Sequence, residues 1–351
     1  MQKLVFPRYA ITSEIDIISK EMVRVLSEID DAGPTEGDTF LRKRSRIRSI
    51  NSSLAIEGNV LDLEKTRDVI NGKTVEGCFV DILETKNAIN AYRNVEIADL
   101  CSIEDFIRIH DDMTFGLIEE PGFRTMAVNV YEGSEIIYKA PDADDVPGLM
   151  EELFEWSRNT DLPPFISACI IHYQIESIHP FEDGNVRMGR LWHTEILNRY
   201  NRIFRMIPLE SRIHDCQDEY YRVLETCQNK KDCTDFIEFS LRLTLESLVN
   251  LSHIRDPDVS RLLKCMGDGA MTSSAIMKRM RLKDKQHFLS KYMRPAIEYG
   301  LVSMTEPESP RSPTQKYRRT IRRTGPLRMS RPIQVPSDFK WPRNAFHAEV
   351  P

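Results

Sequence analysis

Residues 177–190 read SIHPFEDGNVRMGR. A histidine, a proline and a phenylalanine are followed by two acids, a glycine, an asparagine and two arginines three residues apart. Packing a core asks for no such order. The segment before it, 164–178, is apolar and helical in pattern, and Pro180 marks its end, because proline removes a donor and restricts the residue preceding it. His179 is therefore expected at a helix C-terminus. Asp183-Gly184 is a turn signature. Arg187 is expected to open the next helix, with Arg190 on the same face. Two cations in a first turn oppose the helix macrodipole by about 0.3–1 kcal/mol each, a conflict that a bound anion would resolve. A turn whose N–H groups lead into a helix N-terminus suits phosphate. Asp183 offers an oxygen ligand for Mg²⁺, and His179, on the opposite lip, is placed to accept a proton. Singly, these are a helix-end histidine, an ordinary turn and a solvated arginine pair. Together in one short window they point to a site.

Working outward, most of residues 10–250 carries helical periodicity. TSEIDIISKEMVRVLSEI (12–29) puts Ile15, Ile18, Met22, Val25 and Leu26 on one face. DTFLRKRSRIRSINSSLAIEGN (38–59) follows and closes on Gly58-Asn59, a C-terminal stop. LDLEKTRDVINGK (61–73), DILETKNAINAYRNVEIA (81–98) and IEDFIRIHDDMTFGL (103–117) read as further helices. Residues 121–146 alternate and are rich in β-branched and aromatic residues around a Glu-Gly-Ser turn, which predicts a β-hairpin. Helices resume at 148–159, 164–178, 187–201 and 233–254. After Asp256-Pro257, three short helical segments precede two strands with a Pro/Ser-rich tip, the element order of a winged helix-turn-helix. Beyond about 325 the chain is Pro-rich and aperiodic, and a disordered or loosely docked tail is expected.

Composition bounds the rest. The 351 residues, 41% hydrophobic and 29% charged with net charge −6, are those of a globular protein of one or two domains. The mild acidity argues against bulk coating of nucleic acid but leaves room for a local basic module. Seven scattered cysteines form no CxxC pair. The nearest approach to a metal cluster, His214, Cys216, Cys227 and Cys233, fits no common zinc spacing, so reduced thiols are expected. No apolar run reaches the roughly 18 residues of a membrane span, and no signal-peptide pattern opens the chain. A cytoplasmic location and no membrane partner are the expectation.

The opening stretch resembles the Fic family signature HPFx(D/E)GNGRxxR. His179, Pro180, Phe181, Asp183, Gly184, Asn185, Arg187 and Arg190 match it. The resemblance implies a mainly α, Fic-type helical fold with a β-hairpin flap. It also implies an enzyme, a protein adenylyltransferase moving AMP from ATP to a Ser, Thr or Tyr hydroxyl of a target protein. By the same resemblance His179 is the general base, and Asp183 is the Mg²⁺ ligand. Gly184 and Asn185 help form an anion hole, Arg187 and Arg190 bind the polyphosphate, and Phe181 anchors the loop. Val186, Met188 and Gly189 complete the nucleotide-binding stretch. The flap residues Glu135, Ile136, Ile137 and Tyr138 are expected to pair with a target segment as an added strand. YYRVLETCQ (220–228) resembles the adenine-side element, which places Tyr220, Tyr221 and Gln228 at that pocket. Val186 departs from the pattern, which has glycine there. A β-branched residue takes positive φ only at a cost, and its methyls would crowd phosphate. Weakened catalysis is one consequence, and a non-enzymatic regulator acting through the winged helix is the alternative it supports. An enzyme removing AMP from modified proteins is another.

SSLAIEGN (52–59) resembles the family's inhibitory motif (S/T)xxxE(G/N), through Ser53, Glu57 and Gly58. Glu57 is expected in the last helical turn, where a carboxylate faces the unfavourable dipole end. The resemblance pairs it with Arg190, in the space a γ-phosphate needs, so that the protein is autoinhibited. The resulting division is an N-terminal helical segment (1–38), an inhibitory helix region (39–95), the catalytic core (96–250), a winged helix (257–324) and a tail (325–351). The winged helix carries Lys283, Lys285, Lys291 and Arg294, then Arg311, Lys316, Arg318, Arg319, Arg322 and Arg323, which makes DNA a candidate partner. A second copy of the chain is a further candidate.

Overall fold

Helix α7 (Pro164–Ile178) is predominantly apolar and buried on every side, with fourteen of its fifteen residues buried. A helix of that kind can only sit at the centre of other helices. The computed structural model describes residues 8–33, 38–132, 135–267, 269–298, 301–309, 312 and 314–319, with the side chains of 129–138 excepted. Among these, the chain forms two compact units, one from residues up to Val23 and from Asp38 to Leu245, the other from 24–33 and from Glu246 onward.

In the first unit the chain runs through α1 (Ser13–Asp31, shared with the second unit), α2 (Asp38–Ile56), α3 (Leu63–Ile70), α4 (Phe79–Asn94) and α5 (Ile103–Thr114). The hairpin β1 (Asn129–Glu132) and β2 (Glu135–Lys139) then interrupts the helices. After α6 (Val146–Asn159) and α7 come α8 (Asn185–Tyr200), α9 (Leu209–Asp215), α10 (Gln217–Lys230) and α11 (Thr234–Arg255), which again runs on into the second unit. The helices foreseen from periodicity are present, and α9 and α10 are additions. The N-terminus of α8 lies two residues earlier than expected, at Asn185. Arg190 therefore stands in the second turn, away from the dipole end.

Helices α7 and α8 are in close contact at Gly189. A Cβ there would lie 2.7 Å from Glu176 Oε1 and 2.7 Å from His172 Cδ2. Only a residue without a side chain permits that approach. The core between α5, α6 and α8 is aromatic: Phe106 meets Phe154 and Trp192 edge-on, with ring centroids 5.4 and 4.8 Å apart. Phe181, fully buried, joins the same cluster from the loop between α7 and α8.

The hairpin is antiparallel, with Asn129 opposite Lys139 and Glu132 opposite Glu135. The register slips between Val130 and Tyr131, so Ile137 is the extra residue of a bulge.

The second unit contains α12 (Pro257–Cys265), β3 (Met271–Thr272), α13 (Ser273–Met280), α14 (Lys285–Phe288), a π turn (Leu289–Met293), α15 (Arg294–Glu298), β4 (Val302–Met304) and β5 (Lys316–Arg319). Asp256, Thr272 and Asp284 cap α12, α13 and α14 by accepting backbone N–H bonds. The strands form one antiparallel sheet in the order β3-β5-β4. Its core includes Val259, Leu262, Ile276, Phe288, Tyr292, Ala296, Val302 and Tyr317. The π turn immediately precedes Pro295, whose ring would clash with a carbonyl one turn back, and widening the helix relieves that clash. The expected tail at 325–351, with Arg311, Arg322 and Arg323, lies outside the described residues.

Candidate active site

The loop from His179 to Gly184 is held from inside. His179 closes α7 in the left-handed region (φ 52°, ψ 60°), and its N–H still donates to the Ile175 carbonyl at 2.9 Å. Phe181 stacks face to face on His110, with ring centroids 3.5 Å apart. His110 Nε2 lies 2.8 Å from the Asp183 carbonyl oxygen. The Asn185 side chain accepts from the Phe181 N–H and donates to the Phe181 carbonyl, both at 2.9 Å. The side-chain amide of Asn185 is thus spent closing the loop, and the residue is 2% exposed. Gly184 takes φ 85° before α8, a conformation that strains any side chain.

Val186 follows as a helical residue. It is absent from the described non-glycine residues with positive φ, which are His179, Lys231 and Arg281. The strain anticipated for a β-branched residue does not arise, because the left-handed torsion falls on Gly184 two positions earlier.

Arg187 is 3% exposed. It donates to Asp183 Oδ2 at 2.7 Å and to Glu84 Oε1 at 3.3 Å, while its Nε is buried without a partner. Arg190 is 1% exposed. Its Nε donates to the Ser53 hydroxyl at 3.2 Å, and its Nη2 to the Ser53 carbonyl at 2.9 Å and to Glu57 Oε1 at 3.0 Å. Its Nη1 is buried without a partner. A buried guanidinium donor with nothing to bind costs free energy, so both arginines have a donor suited to an anion.

Glu57 stands one residue beyond α2, not inside its last turn. Asn59 N–H donates to the Leu54 carbonyl and Gly58 N–H to the Ala55 carbonyl, with Gly58 at φ 93°. These are the paired bonds of a Schellman stop, with Glu57 as the capping residue. The helix end thus aims the carboxylate at Arg190.

The titrating groups follow their surroundings. Burial, reinforced by the Arg124 guanidinium, lowers His179 from its ordinary value, while the Glu176 backbone and Asp183 raise it in part. Burial likewise lowers His110. Glu176, 5% exposed behind Arg190, is pushed up to about 8 by burial, against the pull of Arg190. Burial works against the charge of Arg190, but Glu57 and its other neighbours raise its pKa overall.

The expected nucleotide-side residues divide. Tyr220 is fully buried, and its hydroxyl lies 3.0 Å from His172 Nε2, so it supports the core and does not line an open pocket. Tyr221 is 38% exposed and bonds to Glu57. Gln228 is seven residues further along α10, on the same face as Tyr221. The side chains of Glu135, Ile136, Ile137 and Tyr138 lie outside the described atoms, but their backbone forms β2. Met188 is fully buried. No group of three or more His, Cys, Asp or Glu able to hold a metal is present among the described residues. Magnesium bound together with substrate phosphates needs only one or two carboxylates. The Asp183 side chain, 60% exposed at the loop, fits that use.

Sequence reasoning did not find Glu84, His110, Arg124 or Glu176. Their partners are a distant arginine, backbone carbonyls and a helix face, none of which leaves a local signal.

A helical domain whose central helix ends in a histidine, with an anion-ready loop, a buried arginine and a hairpin, defines a class recognisable in other proteins. Residues 100–197 match the Fic/DOC family, and residues 257–320 match the Filamentation induced by cAMP protein Fic-like, C-terminal domain. The structure resembles that of a Fic family protein from Desulfovibrio desulfuricans G20, at 37% identity and TM-score 0.65, over 90% of this chain and 98% of that one. Fic-1 (residues 134–508) from C. elegans shares the fold at TM-score 0.55 and 22% identity, over 68% of this chain and 72% of that one. The chain belongs to the Fic family. A protein adenylyltransferase Fic of Drosophila grimshawi is 28% identical over 218 residues, 59% of this chain and 43% of the relative. The chain thus spans less than half the length of that curated relative. No helix among the described residues is long and apolar enough to cross a membrane.

Proposed function

We propose that the chain is a protein adenylyltransferase held in check by Glu57. The observation that carries this reading is Arg190, buried, paired with Glu57 through Nη2 and left with an unpartnered Nη1. In the proposed reaction ATP lies against the N-terminus of α8, with Arg187 and Arg190 on the polyphosphate. The depressed pKa of His179 keeps its ring neutral at physiological pH, the form a general base needs. His179 takes the proton of a target Ser, Thr or Tyr hydroxyl as the oxygen bonds to the α-phosphorus. The bond to the β-phosphate oxygen breaks, and pyrophosphate leaves with the electron pair. Asp183 would hold Mg²⁺, which neutralises phosphate charge. Glu57 occupies the guanidinium that the γ-phosphate would use. The unshared edge of a two-stranded hairpin supports docking of the target segment along it. The names of the curated relatives support the same activity.

The test is mass spectrometry of purified protein and lysate with ATP and Mg²⁺. Glu57→Gly is expected to give AMP-modified peptides, and Glu57→Gly with His179→Ala to give none while still binding ATP. Equal modification by both proteins would reject the assignment of the base.

A second activity is supported by the C-terminal unit, which we read as a winged helix. Residues 257–319 hold thirteen Lys and Arg against six Asp and Glu, in a chain of net charge −6. Lys283, just before α14, and Lys285, Lys291 and Arg294, from α14 to α15, are exposed. That face suits the phosphates of duplex DNA. Binding to a labelled duplex should weaken steeply as salt is raised, and Lys285→Glu with Arg294→Glu should abolish it. Salt-independent binding, or none, would reject this role.

A further inference from the structure

Arg124 belongs to none of the motifs above and is 6% exposed. Its Nε donates to the His179 carbonyl at 2.7 Å, and its Nη1 to the Met126 carbonyl at 2.9 Å. Nη2 donates to the Pro141 carbonyl at 2.5 Å and reaches the Ile178 carbonyl at 3.5 Å. Its backbone N–H donates to the Pro180 carbonyl at 3.0 Å. Met126 and Pro141 flank the hairpin, whose base is closed by Ala140 N–H donating to the Val128 carbonyl. Ile178, His179 and Pro180 are the end of α7 and the start of the catalytic loop.

Helix C-termini always need donors for their last carbonyls, and that need alone would explain one or two of these bonds. It does not explain why the same guanidinium reaches both feet of the hairpin. Nor is His179 an ordinary helix end: a non-glycine residue in the left-handed region is strained, and such strain persists only where surroundings over-determine it. The planar fork of arginine can hold several carbonyls in fixed directions, which the single ammonium of lysine cannot.

We propose that Arg124 is a positioning residue, locking the backbone of His179 and both feet of the hairpin into one unit, so that base and docked target keep a fixed relation. Its effect on rate rests on the adenylyltransferase reading, whereas its effect on the backbone does not.

The experiment compares Arg124→Lys and Arg124→Gln with the parent, all in the Glu57→Gly background and in the full chain. Hydrogen exchange is expected to quicken by about tenfold or more at both 126–141 and 179–181, with α4 and α10 unchanged. The kcat for AMP transfer should fall by about a hundredfold, and ATP affinity by calorimetry should change by less than about threefold. The pKa of the His179 ring is lowered by burial and by the Arg124 charge, and raised by the Glu176 backbone and Asp183. Its NMR titration should therefore move to higher pH in the Gln variant and less in the Lys variant, which keeps the charge. Unchanged exchange at either segment, or acceleration spread evenly over the unit, would overturn the proposal. A silent Glu57→Gly parent would reject the enzymatic reading, and the exchange data would still decide the role of Arg124.

Discussion

Val186 is helical, and that one fact changes what it means for the loop. With no left-handed torsion to relieve, replacing it by glycine removes only the isopropyl side chain and lowers helix propensity. Val186→Gly in a Glu57→Gly background is expected to raise kcat/KM for ATP by less than about tenfold, through steric relief alone. The same change should cost up to about 1 kcal/mol of stability, read from urea unfolding. Histidines give a second residue-scale expectation. Burial depresses His110, His172, His179 and His193, the last to about 4. The unfolded chain binds protons near pH 6.5 while the folded chain still refuses them. Stability from these groups is therefore present above pH 6.5 and lost as pH falls through their folded values. The urea midpoint should drop between pH 6.5 and pH 4. Of these four, only His179 announced itself in the sequence, because its chemistry is written in its neighbours. The other three are marked by burial, which only the fold reveals.

At the level of elements, the contact of α7 with α8 turns on Gly189. Gly189→Ala places a methyl against Glu176 and His172, both buried, so neither yields freely. A loss of about 1–3 kcal/mol in unfolding free energy is expected. Glu176, on the facing helix, titrates in the opposite sense to the histidines. Its folded pKa is about 8 against 4.5 in the open chain, so the folded state holds an extra proton between those values. Its stabilising contribution is complete below pH 4.5 and is lost as pH rises through 8. Glu176→Gln should gain on the parent as pH is raised from 5 to 8, and a constant difference across that range would contradict the assignment. Both helices were legible from periodicity, and the loop between them from its motif. The junction itself was not, because Gly189 is one of the three unassigned positions in the signature, and its significance lies in what stands opposite. The short α9 and the π turn before Pro295 escaped for a related reason: neither is long enough to establish a period.

For the whole molecule, seven free thiols offer a reading of the native state. Cys78 is exposed, whereas burial raises Cys227 to about 11 and Cys233 to about 12, and raises Cys169 as well. Thiolate is the reactive form, so alkylation of the folded protein at pH 8 should label Cys78 quickly and these three only after denaturant is added. Rapid labelling of Cys169 in the native protein would contradict the fold of the central helix. At this scale the sequence was most informative about order: helices, one hairpin, helices again, then a small basic module. It said least about Arg124, whose partners are carbonyls that any residue could provide.

The Glu57 carboxylate reaches Arg190 from the end of a single helix, and on the proposed reading it is the restraint on the enzyme. In genetic terms that restraint is one codon. Both glutamate codons lie a single base from glycine and a single base from lysine, and either replacement removes the carboxylate. Unrestrained alleles should therefore arise at the rate of one point mutation. Where AMP transfer harms the cell, random mutagenesis followed by a screen for toxic clones should return codon 57 again and again.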